Sequence, residues 1–449
     1  MEDVLKYIDE HKDEYIALLQ KLVRQPSQAT TGEGIEEMVR MVIETLRMIG
    51  ADPVLYETDG NPVVYAEMKG DTDHIFGFYD HYDVQPVDPV ELWDDDPYSG
   101  IIKNGCIYGR GVSDNKNGIA TKVCAIDAWL KTRGSIPCGV KFFIEGEEEI
   151  GSPHLSQFAR EHRDLISCDG FNWESGWKEP DGPAEVHLGN KGLVYVEYYI
   201  RTAKMDAHSM NAAVVKNPAW RLVKALNSIK NPATGRILID GFYDGIEELS
   251  DMDLEALERD DLSEDFYKDL LGVDHFVNHH EGMDFKKDFY FAPTANICGI
   301  ISGYTGQGSK TVLPCEASAK MDFRLVPGQD PERIIRLLRE HLDTHGFGDV
   351  EFRVLSAQPA FRTAPDSPFI LAVEKALREL FGTEPSVHLS TAGTSPQTIF
   401  CSEDNIPSAL FGGVSMHNMV HSPNEKMPVQ NYIDEIKMMA YIMKTLSES

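Results

Sequence analysis

Residues 139–152 read GVKFFIEGEEEIGS. The apolar, strand-length run Gly139–Ile144 predicts a buried strand. Four glutamates follow within five positions, Glu145, Glu147, Glu148 and Glu149, before the stretch closes on Gly151 and Ser152. Carboxylates issuing directly from a buried strand are costly unless water or a cation meets them. An exposed acidic turn would satisfy them, but continuity with the apolar strand weighs towards a cation. In such a turn one glutamate can ligate metal while its neighbour stays free as a general base.

Outward from this stretch, strands and helices alternate. Short strands are expected at Val63–Met68 and His74–Tyr79, a helix over Asn117–Thr132, a helix near His154–His162 and a strand leading to Trp173. The chain begins with helical spacing: Val4, Ile8, His11, Tyr15, Leu18, Leu19 and Leu22 recur at three- and four-residue steps until Pro26. Ile35, Met38, Val39, Val42, Leu46 and Ile49 repeat the pattern up to Gly50. This alternation predicts a layered α/β sheet. The texture changes near Gly192. A strand Leu193–Ile200, a helix Pro218–Ile229, an acidic stretch over 231–290, two β stretches within Thr311–Val326, a helix Pro331–His345 and a strand Val350–Leu355 follow. Helices on an antiparallel sheet suit a small α+β unit. The α/β texture resumes with a helix Ser367–Phe381, strands Ser386–Leu389 and Ser408–Gly412, and a last helix from Val429. The expected architecture is a discontinuous main domain, residues 1–191 and 357–449, with a smaller domain, residues 192–356, inserted in its middle.

At 449 residues the chain exceeds one ordinary core. Its 73 acidic and 42 basic residues give a formal charge of −31, which argues against nucleic acid and against anionic lipid as partners. Hydrophobic content of 42% with 26% charged residues is ordinary for a soluble enzyme and too apolar for disorder. The N-terminus, MEDVLKYIDEHKDEY, has no basic region followed by an apolar one, and no stretch reaches the ~18 apolar residues of a membrane span. Seven scattered cysteines without a CxxC pair read as buried thiols in a reducing cytoplasm, not as a disulfide frame or a thiolate zinc site.

Four other strand ends carry residues of the same chemistry. FYDHYDVQP (78–86) sets His81 and Asp83 two apart, on one side of an extended chain. A metal-bound imidazole commonly gives its other N–H to such a carboxylate. GRGVSDNKNG (109–118) places Asp114 in a glycine-rich turn before a helix, where it could cap the helix or bridge two cations. GFNWESGW (170–177) ends a strand on Glu174, and VHSPNEK (420–426) sets His421 in a polar loop before the last helix. Each is common alone. Together, imidazoles and carboxylates at strand-end loops of one α/β unit suit Zn²⁺, with Mn²⁺ or Co²⁺ also accommodated. His275, His279 and His280 lie in the acidic stretch and read as a solvated loop. GYTGQG (303–308) lacks the GK[ST] ending of a phosphate loop and reads as a turn.

HYDVQP, GRGVSDNKNG, EGEEEIGS, AHS (207–209) and HSPNEK, in this order and at these separations, resemble the family of two-zinc amidohydrolases and exopeptidases. That family includes carnosine dipeptidase, carboxypeptidase G, acetylornithine deacetylase and succinyl-diaminopimelate desuccinylase. The likeness runs over essentially the whole chain. LFGTEP (380–385), FRLVP (323–327) and HSPNEK lean towards its cytosolic dipeptidase branch.

The resemblance implies a di-metal catalytic domain with a central mixed sheet and an inserted ferredoxin-like α+β domain for lid and dimerisation. It implies two Zn²⁺ per subunit, a homodimer and a dipeptide or N-acyl amino acid as substrate. Dipeptidase activity is the leading expectation, with N-acyl-amino-acid deacylase or carboxypeptidase as the alternative. His81 and His421 would ligate one metal each, Asp114 would bridge them, and Glu149 and Glu174 would complete the set. Glu148 would be the general base and Asp83 would orient His81. Arg324 would grip the substrate carboxylate, His208 would reach across a dimer to steady the oxyanion, and Thr311 and Thr394 would add weaker substrate contacts. The chain departs from the family pattern in three places. Asp80 replaces the glycine before the first histidine, and AHSMNAAVVKNP lacks the HSGxxGG glycines of the dipeptidases. Glu174 stands where family dipeptidases and aminopeptidases carry Asp, and so points to deacylases and carboxypeptidases.

Overall fold

The strand Gly139–Glu145 is buried at every residue, as an apolar run covered on both faces must be. In the computed structural model, which describes residues 1–449 apart from the side chain of Asn278, this strand lies inside a six-stranded mixed sheet. The order across the sheet is Val54–Tyr56, Val63–Met68, Gly139–Glu145, Ile75–His81, Gly170–Trp173 and Ser408–Ala409. The first two joints are antiparallel and the other three parallel. Register brings His81 opposite Glu145 and Tyr79 opposite Trp173. The carboxyl ends of three neighbouring parallel strands therefore stop within two residues of one another, and the loops that follow share one edge. That edge is where α/β sheets collect ligands.

The chain forms two compact units. The first comprises Met1–Gly189, Arg362–Leu389 and Pro396–Ser449 and holds the mixed sheet. Its helix Lys116–Arg133 is buried on almost every side and packs against the last helix, Val429–Ser447, through contacts such as Trp129 Nε1 to the Ala440 carbonyl at 3.0 Å. The N-terminal residues form two helices rather than one continuous run, Glu2–Glu10 and Lys12–Val23. They break at His11, whose ring stacks on Tyr7 at 3.8 Å. Ser386–His388 forms a strand but joins Glu185–His187 in a separate parallel pair.

The second unit comprises Asn190–Phe361 and Ser390–Ser395. Its antiparallel sheet has the order Thr294–Ser302, Glu316–Leu325, Gly192–Arg201, Glu351–Gln358. Burial alternates along Gly192–Arg201, so one face carries Val194, Val196, Tyr198 and Ile200 into a core with Leu222, Leu226, Ile334 and Leu338. Those last four come from the helices Pro218–Ile229 and Pro331–Thr344. Each of these helices opens on a polar cap followed by proline: Asn217 accepts the Ala219 N–H, and Asp330 accepts those of Glu332 and Arg333. The acidic stretch forms three further helices, Asp251–Arg259, Glu264–Leu271 and Gly282–Phe291. Sequence periodicity misses the strand Thr294–Ser302, because it is an edge strand with mostly exposed residues and a register shift between Ile297 and Gly299. Among the described residues no helix is long and apolar enough to cross a membrane.

Candidate metal centre and active site

His81 is the last residue of its strand and is fully buried. Its Nδ1 donates towards Asp83, 3.1 Å from the backbone carbonyl and 3.3 Å from Oδ1. Its Nε2 lies 3.0 Å from Asp114 Oδ1. The other oxygen of Asp114 lies 2.9 Å from His421 Nε2, and the same nitrogen is 3.1 Å from Glu149 Oε2. One carboxylate thus turns an oxygen to each of two imidazoles. Donor atoms of His81, Asp114 and Glu149 lie within 4.8 Å of one another.

The glutamate stretch sorts by partner. Glu145 accepts from Tyr79 and from Ser152 Oγ, and Glu147 meets His154 Nδ1 at 2.8 Å. Glu149 is held by Gln85, which donates from its backbone N at 3.1 Å and from Nε2 at 2.8 Å. Asp83, also fully buried, accepts the backbone N–H groups of Glu148 at 3.2 Å and Glu149 at 3.0 Å. A single aspartate therefore anchors both the His81 ring and the turn that carries the two remaining glutamates. Glu174 follows Trp173 with φ +59, and His421 has φ +61. Both hold a left-handed backbone that non-glycine residues rarely adopt, a strain that gathers at functional sites. The Glu174 Oε1 atom is buried with no hydrogen-bond partner among the described residues.

Electrostatics follow from crowding. Burial and then the charge of Glu174 push the Glu148 carboxyl well above the ordinary range, with Glu149 and Asp114 adding to the rise. Burial, with Asp114, Asp80 and Glu149, pushes Glu174 up to about 8. Burial opposes charge on His81, but hydrogen bonds and charges from Asp114 and Asp83 outweigh it and raise the ring's pKa. Hydrogen bonds that its ring donates to Asp114 and Glu149 push His421 up to about 10. The cluster carries more buried negative charge than its two imidazoles can balance. Its mixed nitrogen and oxygen donors, the two-sided Asp114 and the orphaned Glu174 oxygen fit a pair of borderline divalent cations.

Supporting residues escape sequence reasoning because their partners lie far along the chain. Glu425, fully buried, accepts from Gly111 N, Ser113 N, Asp114 N and Arg110 Nη1 at 2.8–3.2 Å. It ties the Asp114 turn to the segment bearing His421. Glu435, from the last helix, accepts from Asn117, Thr121, Ser175 and Gly413 at 2.9–3.1 Å. Asp80 neither faces solvent nor stays unpaired: it forms a fully buried pair with Lys122 at 2.5 Å. A Cβ on Gly118 would fall 2.2 Å from Asp80 Oδ1, so only glycine leaves room for that pair.

The other predicted residues lie in the second unit. Arg324 Nη1 donates to Thr394 Oγ1 at 2.6 Å. Lys191 stands close by, its own pKa pulled down to about 8 by burial and then by the Arg324 charge. Two cations thus share one polar corner. His208 is exposed and accepts the Met210 N–H on Nδ1 at 3.1 Å, while the Thr311 carbonyl accepts from Ser209 N at 3.3 Å. The cysteines are free, but the expectation that they are buried fails for Cys298, which lies exposed on the edge strand, and for the partly buried Cys106 and Cys168. His280 pairs with Asp288 at 2.6 Å.

Residues 77–445 match the family model described as peptidase family M20/M25/M40. Human Beta-Ala-His dipeptidase is 27% identical over 473 residues, spanning 98% of this chain and 91% of that protein. A Cys-Gly metallodipeptidase of Schizosaccharomyces pombe is 25% identical over 467 residues, spanning 98% and 96%. Among solved structures, an M20 family metallo-carboxypeptidase from Sulfolobus solfataricus is similar at a TM-score of 0.92 and 35% identity, over 97% of this chain and 100% of that one. Human carnosine dipeptidase 1 is similar at 0.83 and 26%, over the whole of both chains.

Proposed function

The chain belongs to peptidase family M20/M25/M40, and we propose that it is a two-metal dipeptidase that cleaves the amide bond beside a free carboxylate. The observation that carries this reading is Asp114, with one oxygen towards His81 and the other towards His421. In this reading His81 and His421 hold one cation each, Asp114 bridges, and Glu149 and Glu174 complete the set. Zinc suits the donors, and Mn²⁺ or Co²⁺ would serve. When bound, the cation pair supplies Lewis acidity at the scissile carbonyl and lowers the pKa of water towards neutrality.

The chain's own residues do the rest. Asp83 takes the Nδ1 proton of His81 in a hydrogen bond, which fixes the tautomer and leaves Nε2 for ligation. Glu148, its proton affinity raised by burial and by Glu174, accepts a proton from the attacking water and returns it to the leaving amine. Arg324, pinned by Thr394, grips the substrate carboxylate, and Lys191 adds a second positive charge beside it. His208 steadies the oxyanion from a second copy in a homodimer, and Thr311 contacts substrate. The second unit acts as the lid and dimerisation domain. Free thiols suit a reducing compartment, which in this reading is the cytoplasm.

Glu174 and the similarity at 35% identity to a named metallo-carboxypeptidase are the observations behind a second reading, N-acyl-amino-acid deacylase or carboxypeptidase activity, which the dipeptidase relatives do not favour. Purified protein supplied with zinc or manganese is to be assayed on free dipeptides, N-acyl amino acids and N-blocked dipeptides. Preferential cleavage of free dipeptides supports the first reading. Preference for blocked substrates moves the assignment to carboxypeptidase or deacylase, and no cleavage of any overturns both.

A further inference from the structure

We propose that Glu185, His187 and His388 hold a divalent cation of the zinc class, at a centre that shares no residue with the His81 cluster. Two short segments, EVH (185–187) and SVH (386–388), pair as parallel strands with Glu185 opposite Ser386 and His187 opposite His388. Because side chains alternate, Glu185, His187 and His388 share one face while Val186 and Val387 take the other. One donor atom from each of the three lies within 4.8 Å of the others. Glu185 Oε2 is 2.9 Å from His187 Nε2 and 3.6 Å from His388 Nε2. The two imidazoles stack at 4.5 Å with planes 22° apart, and the Nε2 atom of each is the one nearest Glu185 Oε2.

The backbone at each donor is already fixed. Glu185 N donates to Trp177 O, His187 exchanges hydrogen bonds with Leu410 in both directions, and His388 O accepts from Leu188 N. The Trp177 ring packs edge-on against His187 at 4.7 Å. Side-chain exposures of 23%, 12% and 5% for Glu185, His187 and His388 leave the trio shielded yet reachable. A cation arriving there would order little that is not already ordered, which is what makes a preformed site bind well. Two imidazoles and one carboxylate suit Zn²⁺ and its neighbours rather than Ca²⁺ or Mg²⁺, which prefer all-oxygen ligands. Three protein donors leave a fourth tetrahedral place for water. The cation would tie together two three-residue strands and so steady the chain that runs from His388 into residues 390–395, where Thr394 lies. A trio joined by hydrogen bonds alone, with Glu185 accepting from the imidazoles, is the competing arrangement and takes up no metal.

Zinc counting in the full-length chain tests this without reference to peptidase activity. The background His81→Ala/His421→Ala removes the two imidazoles of the first cluster, so the result stands whether or not that cluster is catalytic. After chelator stripping and dialysis against zinc, this background should keep one equivalent per chain by elemental analysis. Adding His187→Ala/His388→Ala should remove that equivalent. Glu185→Gln, which preserves shape, should weaken zinc binding at least tenfold, with a circular dichroism spectrum and stripped-state Tm matching the background. Equal zinc content with and without His187 and His388, or unchanged affinity in Glu185→Gln, overturns the proposal.

Discussion

Glu148 and Glu425 show how two glutamates close to the same cluster come to differ. Burial raises the proton affinity of both, but at Glu148 neighbouring carboxylates add to the rise, whereas at Glu425 three backbone N–H groups and Arg110 work against it. Replacing Glu148 with Gln keeps shape and removes the proton acceptor. Metal content should stay at the wild-type level while kcat falls roughly a hundred- to ten-thousand-fold, the usual worth of a general base. Wild-type turnover in Glu148→Gln would remove it from the mechanism. Replacing Glu425 with Ala strands a guanidinium that is only 1% exposed. A loss of about 3–5 kcal/mol of stability is expected in urea unfolding, because breaking one side of a buried pair leaves the other charge uncompensated. The motif VHSPNEK displays Glu425 only as one polar residue among several. Its role needs the Asp114 turn beside it, more than 300 positions earlier in the chain.

At the scale of elements, the site depends on three parallel strands ending together. The joint between Ile75–His81 and Gly170–Trp173 is reinforced by Tyr79 stacking on Trp173 at 3.8 Å and 13°. Trp173 is fully buried and directly precedes Glu174. Trp173→Ala should cost about 3–5 kcal/mol by emptying that volume. It should also lower metal affinity, because the strand end that aims Glu174 loses its neighbour. A variant with reduced Tm but unchanged metal affinity would show that the stack serves stability alone. Strand positions with buried runs were legible in the sequence, and so were the capped helices at Pro218 and Pro331. The edge strand Thr294–Ser302 was not, since exposed residues and a bulge erase the period-two pattern.

At the scale of the whole molecule, charge and metal set stability. In the metal-free chain, Glu148, Glu174 and His421 all bind protons more tightly folded than unfolded. At these groups the folded state holds more protons than the unfolded state, so their contribution to stability falls as pH rises. For Glu174 the loss runs from the ordinary carboxylate range near 4.5 to about 8, and for His421 from 6.5 to about 10. The lowered Asp114 has the opposite sign but acts only below its ordinary value of 3.8. The buried Lys116 and Lys191, pulled down to about 7 and about 8, oppose the trend above those values. They are outnumbered by the raised carboxyls and imidazoles, Glu145, Glu149 and His81 among them. Chelator-treated protein should therefore melt at a lower temperature at about pH 9 than at about pH 5.5. Adding zinc should recover more of the Tm at the higher pH, where ligands are deprotonated. A stripped-state Tm that rises over this interval would mean the carboxylate cluster is not what limits stability.

The sequence by itself determined the layered α/β class, the strand ends that bear His81, Asp114, the glutamates, Glu174 and His421, and the chemistry those residue types can support. These follow from local periodicity and from the cost of burying carboxylates, both readable over a few residues. Only the tertiary structure decided which carboxylates gather beside His81 and His421 and which are satisfied by Tyr79, Ser152 or His154, and that Asp83 and Glu425 act as anchors. It also decided that residues 390–395 join the second unit, and that Glu185, His187 and His388 converge. Those outcomes depend on strand register and on hydrogen bonds between segments far apart in the chain. No local pattern encodes such pairings, because many partners of the same type compete for each group until packing selects one.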